Sequence, residues 1–269
     1  MKINKEYYHL NNKYNKRIIL LSDIHYFSKK IIPDLYNILE SIKNLKPDYI
    51  CFSGDIVDDK NIKDKDLLIT WFKDLSKIAR VIIGLGNHEF YFNHETEKTY
   101  DKELFDKIDR IKNAYLLDNK VHSTNGINFI GVTIPNDYYD NGEDNTDLIY
   151  FMNKKYPYLS KGYNIMLIHS PYQVARASVL EKIKCYKDID LILSGHMHGG
   201  LTFNFLKKCL KGRGFVTPQK GMFKKYCYGK YKIDNTNVII SSGVTKLSKS
   251  HKIGVFSFLY KSEITVIDI

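Results

Sequence analysis

Two histidines separated by one methionine, within Gly195-His196-Met197-His198-Gly199-Gly200, raise the first chemical question of this chain. On a continuous strand both imidazoles would face one side, because side chains alternate. At a strand end that turns through two glycines, the rings either diverge toward two neighbouring points or remain a pair of hydrogen-bonded loop histidines. Other polar residues follow apolar runs in the same manner: Asp23 and His25 after RIILLS, Asp55 after DYICFSG, Asn87, His88 and Glu89 after RVIIGLG, and His169 after YNIMLI. Collected, Asp23, His25, Asp55, Asn87, His88, His169, His196 and His198 are oxygen and nitrogen donors without thiolate. That mix suits Mn, Fe, Zn or similar divalent ions. Eight donors exceed the needs of one ion. They suit two ions a few ångströms apart that share a carboxylate, the arrangement that grips phosphoryl groups and activates a water. Taken singly, each residue also has an ordinary reading: Asp23 and Asp55 as helix N-caps, Asn87 as a turn residue, His169 as a loop histidine before Ser170-Pro171. His9, His94, His122 and His251 stand in no such context and are expected to be ordinary.

These donors can act together only if the chain brings the ends of the apolar runs to one place. Continuous runs rich in Ile, Leu and Val suit strands buried on both faces. Between the early runs lie two helical patterns. Pro33 to Leu45 opens on proline and spaces Leu35, Ile38, Leu39 and Ile42 along one face; Asp66 to Ile78 repeats the pattern. Strand, helix, strand, helix is the mark of βαβ units, and in open α/β sheets ligands sit beyond the carboxyl ends of the strands. All five polar clusters are expected on one rim. After about Asn125 the pattern turns to β, with GINFIGVTI, VIISSGV, VFSFLY and ITVID, which are expected to form a second sheet packed on the first. No internal repeat or low-complexity linker interrupts residues 1–269, so a single α/β domain is expected.

Composition sets the outer bounds. The chain has 269 residues, 43% hydrophobic and 26% charged, which excludes disordered and fibrous classes and allows a sizeable core. The opening MKINKEYYHLNNKYNK lacks an apolar h-region and no run has the length of a membrane span, so a cytoplasmic location is expected. Cys51, Cys185, Cys209 and Cys227 form no Cys-x-x-Cys unit and read as free thiols in a reducing compartment. Net charge is +11 and nearly all the positive charge is lysine. A solvated lysine surface accounts for this; a field that attracts anions, either a nucleic acid or an anionic membrane touched peripherally, is the competing reading. No motif supports nucleic acid, and the oligomeric state is not legible.

In their order along the chain, Asp23-Ile24-His25, Gly54-Asp55, Gly86-Asn87-His88-Glu89, His169 and Gly195-His196-Met197-His198 resemble the motif set of the calcineurin-like metallophosphoesterases. The resemblance covers Ser22 to His198. It implies a four-layer αββα sandwich, two mixed sheets flanked by helices. It also implies that Asp23, His25 and His198 bind one of two divalent ions, that Asn87, His169 and His196 bind the other, and that Asp55 bridges them. His88 would stay off the metals and face the substrate, while Glu89 would support the ligands rather than join them. The implied activity is hydrolysis of phosphomonoesters or phosphodiesters by a hydroxide held between the ions, attacking phosphorus in line. Lipid-linked and nucleotide esters are the substrates considered; the alternative is a protein that keeps the fold and binds metal or nucleic acid with little turnover.

Within the superfamily, Gly54-Asp55 runs into IVDDK rather than the Arg-Gly pair of the protein serine/threonine phosphatases. Gly199-Gly200, Thr217-Pro218-Gln219 and Tyr226 to Tyr231 are similar to a bacterial membrane-associated branch that holds YkuE-like phosphodiesterases and relatives acting on UDP-diacylglucosamine. Ser242-Gly243-Val244-Thr245 departs from that branch, which carries an Arg-Gly-Leu-Gly-like run there. In the basic segment 203–225, Phe203, Phe205, Leu206 and Leu210 interleave with Lys207, Lys208, Lys211 and Arg213. They suit either a basic apolar lip for a lipid phosphoester or a solvated loop with its apolar face in the core.

Overall fold

A computed structural model of the chain describes residues 3–10, 13–26, 32–57, 62, 64–89, 91–93, 96–99, 101–134, 146–156, 159–171, 182–202, 206–215, 224–244 and 262–269. The expected strands VFSFLY (255–260), together with Phe203, Phe205, Thr217 to Gln219, Thr245, His94 and His251, lie outside those residues.

The first sheet has the spatial order β1 (Asn4–His9), β14 (Glu263–Asp268), β2 (Arg17–Leu21), β3 (Tyr49–Ser53), β4 (Arg80–Gly84) and β7 (Ala114–Leu116). The second runs β12 (Gly229–Ile233), β13 (Thr236–Ile240), β11 (Leu191–Ser194), β10 (Tyr163–Ile168), β9 (Ile127–Val132) and β8 (Val121–Thr124). β5 (Tyr91–Asn93) and β6 (Thr96–Thr99) form a separate antiparallel pair. β2, β3, β4 and β7 are mutually parallel, as are β9, β10, β11 and β13; antiparallel joints at β14/β2, β12/β13 and β8/β9 make both sheets mixed. Among the described residues the α-helices are α1 (Ile32–Leu45), α2 (Lys65–Ile78), α3 (Lys102–Asp109), α4 (Thr146–Lys155) and the short α5 (Lys207–Leu210).

Side-chain alternation turns these strands into layers. In β2 and β3, Ile19, Leu21, Ile50 and Phe52 face a core completed by Leu35, Ile38 and Ile42 of α1 and Leu68, Phe72 and Leu75 of α2. Their neighbours Ile18, Leu20, Tyr49 and Cys51 face the other way, against Ile165, Leu167, Leu191 and Leu193 of β10 and β11. Met166, Ile168 and Ile192 then face outward toward Met152 of α4, Tyr156 and Cys185. Helix, sheet, sheet, helix is the four-layer arrangement expected from the sequence. Each fully buried Leu or Ile in it contributes about 1.5–3 kcal/mol relative to exposure.

Two expectations about strand placement change. ITVID, expected in the second sheet, forms β14 in the first, antiparallel to β2 and parallel to β1. Conversely, YNIMLI and LILS belong to the second sheet, so the five polar clusters are shared three to two between the sheets. A strand's apolar period states which faces it buries, not which neighbour pairs with its edges. The edge strand β1, NKEYYH, carries no apolar period and is largely exposed, and the sequence reading did not select it as a strand. Among the described residues, no helix is long and apolar enough to cross a membrane.

Candidate metal centre

All the sequence-selected donors lie just beyond the carboxyl ends of β2, β3, β4, β10 and β11. The loop after β2 runs beside the loop after β3: Asp23 N donates to Gly54 O at 3.1 Å, His25 N to Asp55 O at 3.0 Å and Tyr26 N to Ile56 O at 2.8 Å. Along these loops Asp23 (φ 55°), His25 (φ 48°), Asp55 (φ 52°), His196 (φ 67°) and His198 (φ 45°) all take left-handed backbone. For non-glycine residues this costs on the order of 1–2 kcal/mol each. Such strain persists where the surroundings over-determine it, and it concentrates at functional sites.

The donors meet in three overlapping groups, each with its ligand-type atoms within 4.8 Å of one another: Asp23, His25 and His198; Asp55, His169 and His196; and His25, Asp55 and His88. Asp55 is the pivot. Its Oδ2 lies 3.0 Å from His169 Nε2, 3.8 Å from His25 Nε2 and 3.9 Å from His88 Nε2. Its Oδ1 accepts from the backbone N–H of His88 at 2.9 Å, which pins the Asn87-His88 turn to the same carboxylate. Asp23 accepts from the backbone N–H of His196 at 3.1 Å and from the Ser22 hydroxyl, and its Oδ1 stands 3.6 Å from His198 Nε2. Both aspartates therefore serve loop amides and imidazoles, and the helix-cap reading of each gives way. The His-x-His question is answered as well: at the turning strand end the two rings part, His198 joining Asp23 and His25 while His196 joins Asp55 and His169.

Glu89 acts as a clamp. Its carboxylate accepts backbone N–H groups from Gly86 (2.5 Å), Asp55 (3.0 Å), Ile56 (2.7 Å) and Val57 (3.2 Å), tying the loop after β4 to the loop after β3. Two glycines allow the close approaches. A Cβ at Gly86 would overlap Asp55 Oδ1, and one at Gly195 would overlap the Ser22 hydroxyl. Ser22, and the Ser53 carbonyl 2.7 Å from His169 Nδ1, are participants that sequence reasoning did not select. A serine directly before a buried Asp was the available signal for the first; a backbone carbonyl leaves none.

Burial alone would raise both aspartate pKa values. The imidazoles reverse that: His198 foremost holds Asp23 below the usual carboxylate range, and His169 foremost holds Asp55 well below it. Burial pushes His196 down to about 3 and His198 down to about 4, so both rings are neutral at pH 7 with a lone pair to offer. His169 differs. Burial works against its charge, yet the adjacent Asp55 carboxylate lifts it to about 9.

The calcineurin-like phosphoesterase family model matches residues 16–200, the stretch that contains every donor above. The chain belongs to the calcineurin-like phosphoesterase family. This family member is 28% identical to the uncharacterized metallophosphoesterase Cj0846 of Campylobacter jejuni, over 87% of this chain and 54% of the relative. It is also 28% identical to an uncharacterized metallophosphoesterase of Helicobacter pylori, over 84% of this chain and 54% of the relative. The chain thus spans about half the length of the curated relatives it matches. A solved archaeal phosphodiesterase overlaps 87% of this chain and 88% of its own, at 12% identity and a TM-score of 0.42.

Relatives named metallophosphoesterases imply divalent cations, and the residues of this calcineurin-like chain fit them. Two fully buried carboxylates, at 0% and 1% exposure, stand among imidazoles of which His196 and His198 are neutral. Asn87 Oδ1 is buried with no hydrogen-bond partner among the described residues, the state of an oxygen whose intended partner is not a protein group. The donor set is oxygen and nitrogen only, as hard and borderline dications prefer.

Proposed function

We propose that the chain is a metal-dependent phosphoric ester hydrolase with a two-cation centre. In this reading Asp23, His25 and His198 hold one divalent ion, Asn87, His169 and His196 hold the other, and Asp55 lies between them. The observation that carries the reading is that Asp55 is shared by two donor groups, one with His169 and His196 and one with His25 and His88, while His25 also belongs to the group with Asp23 and His198. When bound, the two cations supply an activated water and neutralise charge building on the phosphoryl oxygens. The chain's own residues do the rest. His88, the most exposed imidazole of the set at 23%, is held by its backbone bond to Asp55 and reaches toward the open side of the site. There it donates a proton to the departing alkoxide. Glu89 keeps the loops after β3 and β4 in register, and the His169 ring is oriented by Ser53 so that Nε2 addresses the centre. The same reading takes residues 1–269 as one domain, supported by the continuous apolar layer between the sheets.

Metal-stripped protein reconstituted with Mn²⁺ and assayed on mono- and diesters, lipid pyrophosphates, cyclic nucleotides and single-stranded DNA tests the proposal. Hydrolysis that appears with the metal and vanishes on chelation is the expected result; full cation loading with no turnover on any ester would instead mark a binding protein. His88→Gln separates proton transfer from metal holding. It should slow turnover by roughly a hundredfold or more with metal content unchanged.

A further inference from the structure

A second feature lies where the open edges of the two sheets meet, beyond β1 and β12. It is a cleft of about 410 Å³, within the range of small-ligand sites. Among the described residues four lysines line it: Lys207 and Lys208 from α5, Lys211 just after it, and Lys230 from β12. Lys207 is committed to the fold, its Nζ 2.9 Å from Glu263 Oε2 and 2.6 Å from Ser242 Oγ, which also neutralises the buried Glu263. Lys208, Lys211 and Lys230 make no ion pair among the described residues, and against them stands Glu6 as the remaining acid of the lining. The cleft therefore keeps an excess of positive charge.

Its walls are fixed rather than loose. The Tyr228 hydroxyl donates to Lys207 O at 2.9 Å, and the Tyr231 hydroxyl donates to Tyr228 O at 3.0 Å. Both rings are thereby fixed in the lining, and Lys207 Nζ sits 5.1 Å from the centre of the Tyr228 ring. Rigid walls lower the entropy cost of holding a ligand. The cleft also adjoins the metal-centre loops. Ser242 lines it, and a Cβ on the next residue, Gly243, would lie 3.1 Å from Asp23 Cβ.

We propose that this cleft binds the phosphoryl group of an anionic ligand, with Lys208, Lys211 and Lys230 as its cationic contacts and the tyrosine faces holding the organic part. Ammonium groups recognise phosphate as converging point charges, and a concave low-dielectric wall strengthens them. The site is separate from the donor set around Asp55, and the proposal does not depend on the hydrolase reading.

The test uses the full chain, stripped of metal so that the Asp55 centre cannot take the probe, titrated calorimetrically with inorganic pyrophosphate at about 150 mM NaCl. Saturable binding is expected for the wild type, weakened at least roughly tenfold in Lys211→Gln/Lys230→Gln. It should be retained in Lys43→Gln/Lys46→Gln, which removes the same charge from exposed positions at the end of α1. No saturable binding by the wild type overturns the proposal, as does equal weakening in both double variants. Sedimentation with vesicles of phosphatidylcholine and phosphatidic acid identifies the source. If the wild type sediments and Lys211→Gln/Lys230→Gln does not, the group is a lipid headgroup; if pyrophosphate binds and vesicles do not, it is a soluble phosphate. Failure of the hydrolase reading has a different signature, no Mn²⁺-dependent ester cleavage by the wild type, and leaves these titrations as they are.

Discussion

The two sheets furnish the centre in different ways. Loops after β2, β3 and β4 bring both carboxylates, the carboxamide and the His25 and His88 rings; backbone hydrogen bonds join the first loop to the second, and Glu89 gathers amides from the second and the third. Loops after β10 and β11 bring three imidazoles, attached to the first half through the Ser53 carbonyl and the Asp23 carboxylate. The difference follows from charge. A buried carboxylate needs several donors around it to offset lost hydration, whereas a neutral imidazole is buried at small cost. The first half is accordingly a network, and the second is a set of lone pairs presented to it. His169 is the exception, drawn into the charged half by Asp55.

The comparison breaks first at its pivot. Asp55→Ala should weaken Mn²⁺ binding by well over roughly a hundredfold, beyond what loss of an outer-sphere group produces; unchanged affinity and stoichiometry by calorimetry would show that the halves do not meet there. Next comes the lacing. Glu89→Gln should cost roughly 10- to 100-fold in metal affinity and lower the melting temperature of the metal-free protein, whereas Ser22→Ala, at the joint between halves, should fall at the low end of that range. A change of pH should act more mildly. His169 of the metal-free protein carries its proton up to about pH 9, and that proton must leave before Nε2 can accept a cation. Mn²⁺ affinity should therefore rise by roughly tenfold per unit from pH 7 toward 9 and level off above it, an increase lost in His169→Gln. The smallest effect on the centre is expected from Leu193→Ala, in the layer between sheets. Denaturant melts should show a loss of about 2–5 kcal/mol while metal affinity stays nearly constant. Parallel loss of affinity would mean that packing of the sheets, and not the loops, sets the ligand geometry.

Much of the centre was readable because its parts are local. Asp23 with His25, and His196 with His198, each follow a strand at fixed short spacing, so the strand end alone brings them to the rim. Glu89 is expected from the sequence to support the ligands rather than join them, but its four amide partners belong to two loops about thirty residues apart and carry no side-chain signal. The sheet assignment of ITVID was missed for a related reason: β14 is chosen by β1 and β2 through edge hydrogen bonds, which any apolar strand can offer. The basic segment was noticed, yet the cleft it lines takes Glu6 from one end of the chain and Glu263 from the other.

By itself the sequence determined the donor types, their order, the α/β class and the rim on which the polar clusters lie, because these depend on spacing within single strands and the turns that follow them. Only the tertiary structure decided that three clusters come from one sheet and two from the other, and that a lysine-lined cleft opens beside the centre. Those outcomes depend on long-range pairing, where contact is set by packed layers and edge hydrogen bonds rather than by neighbours in the chain.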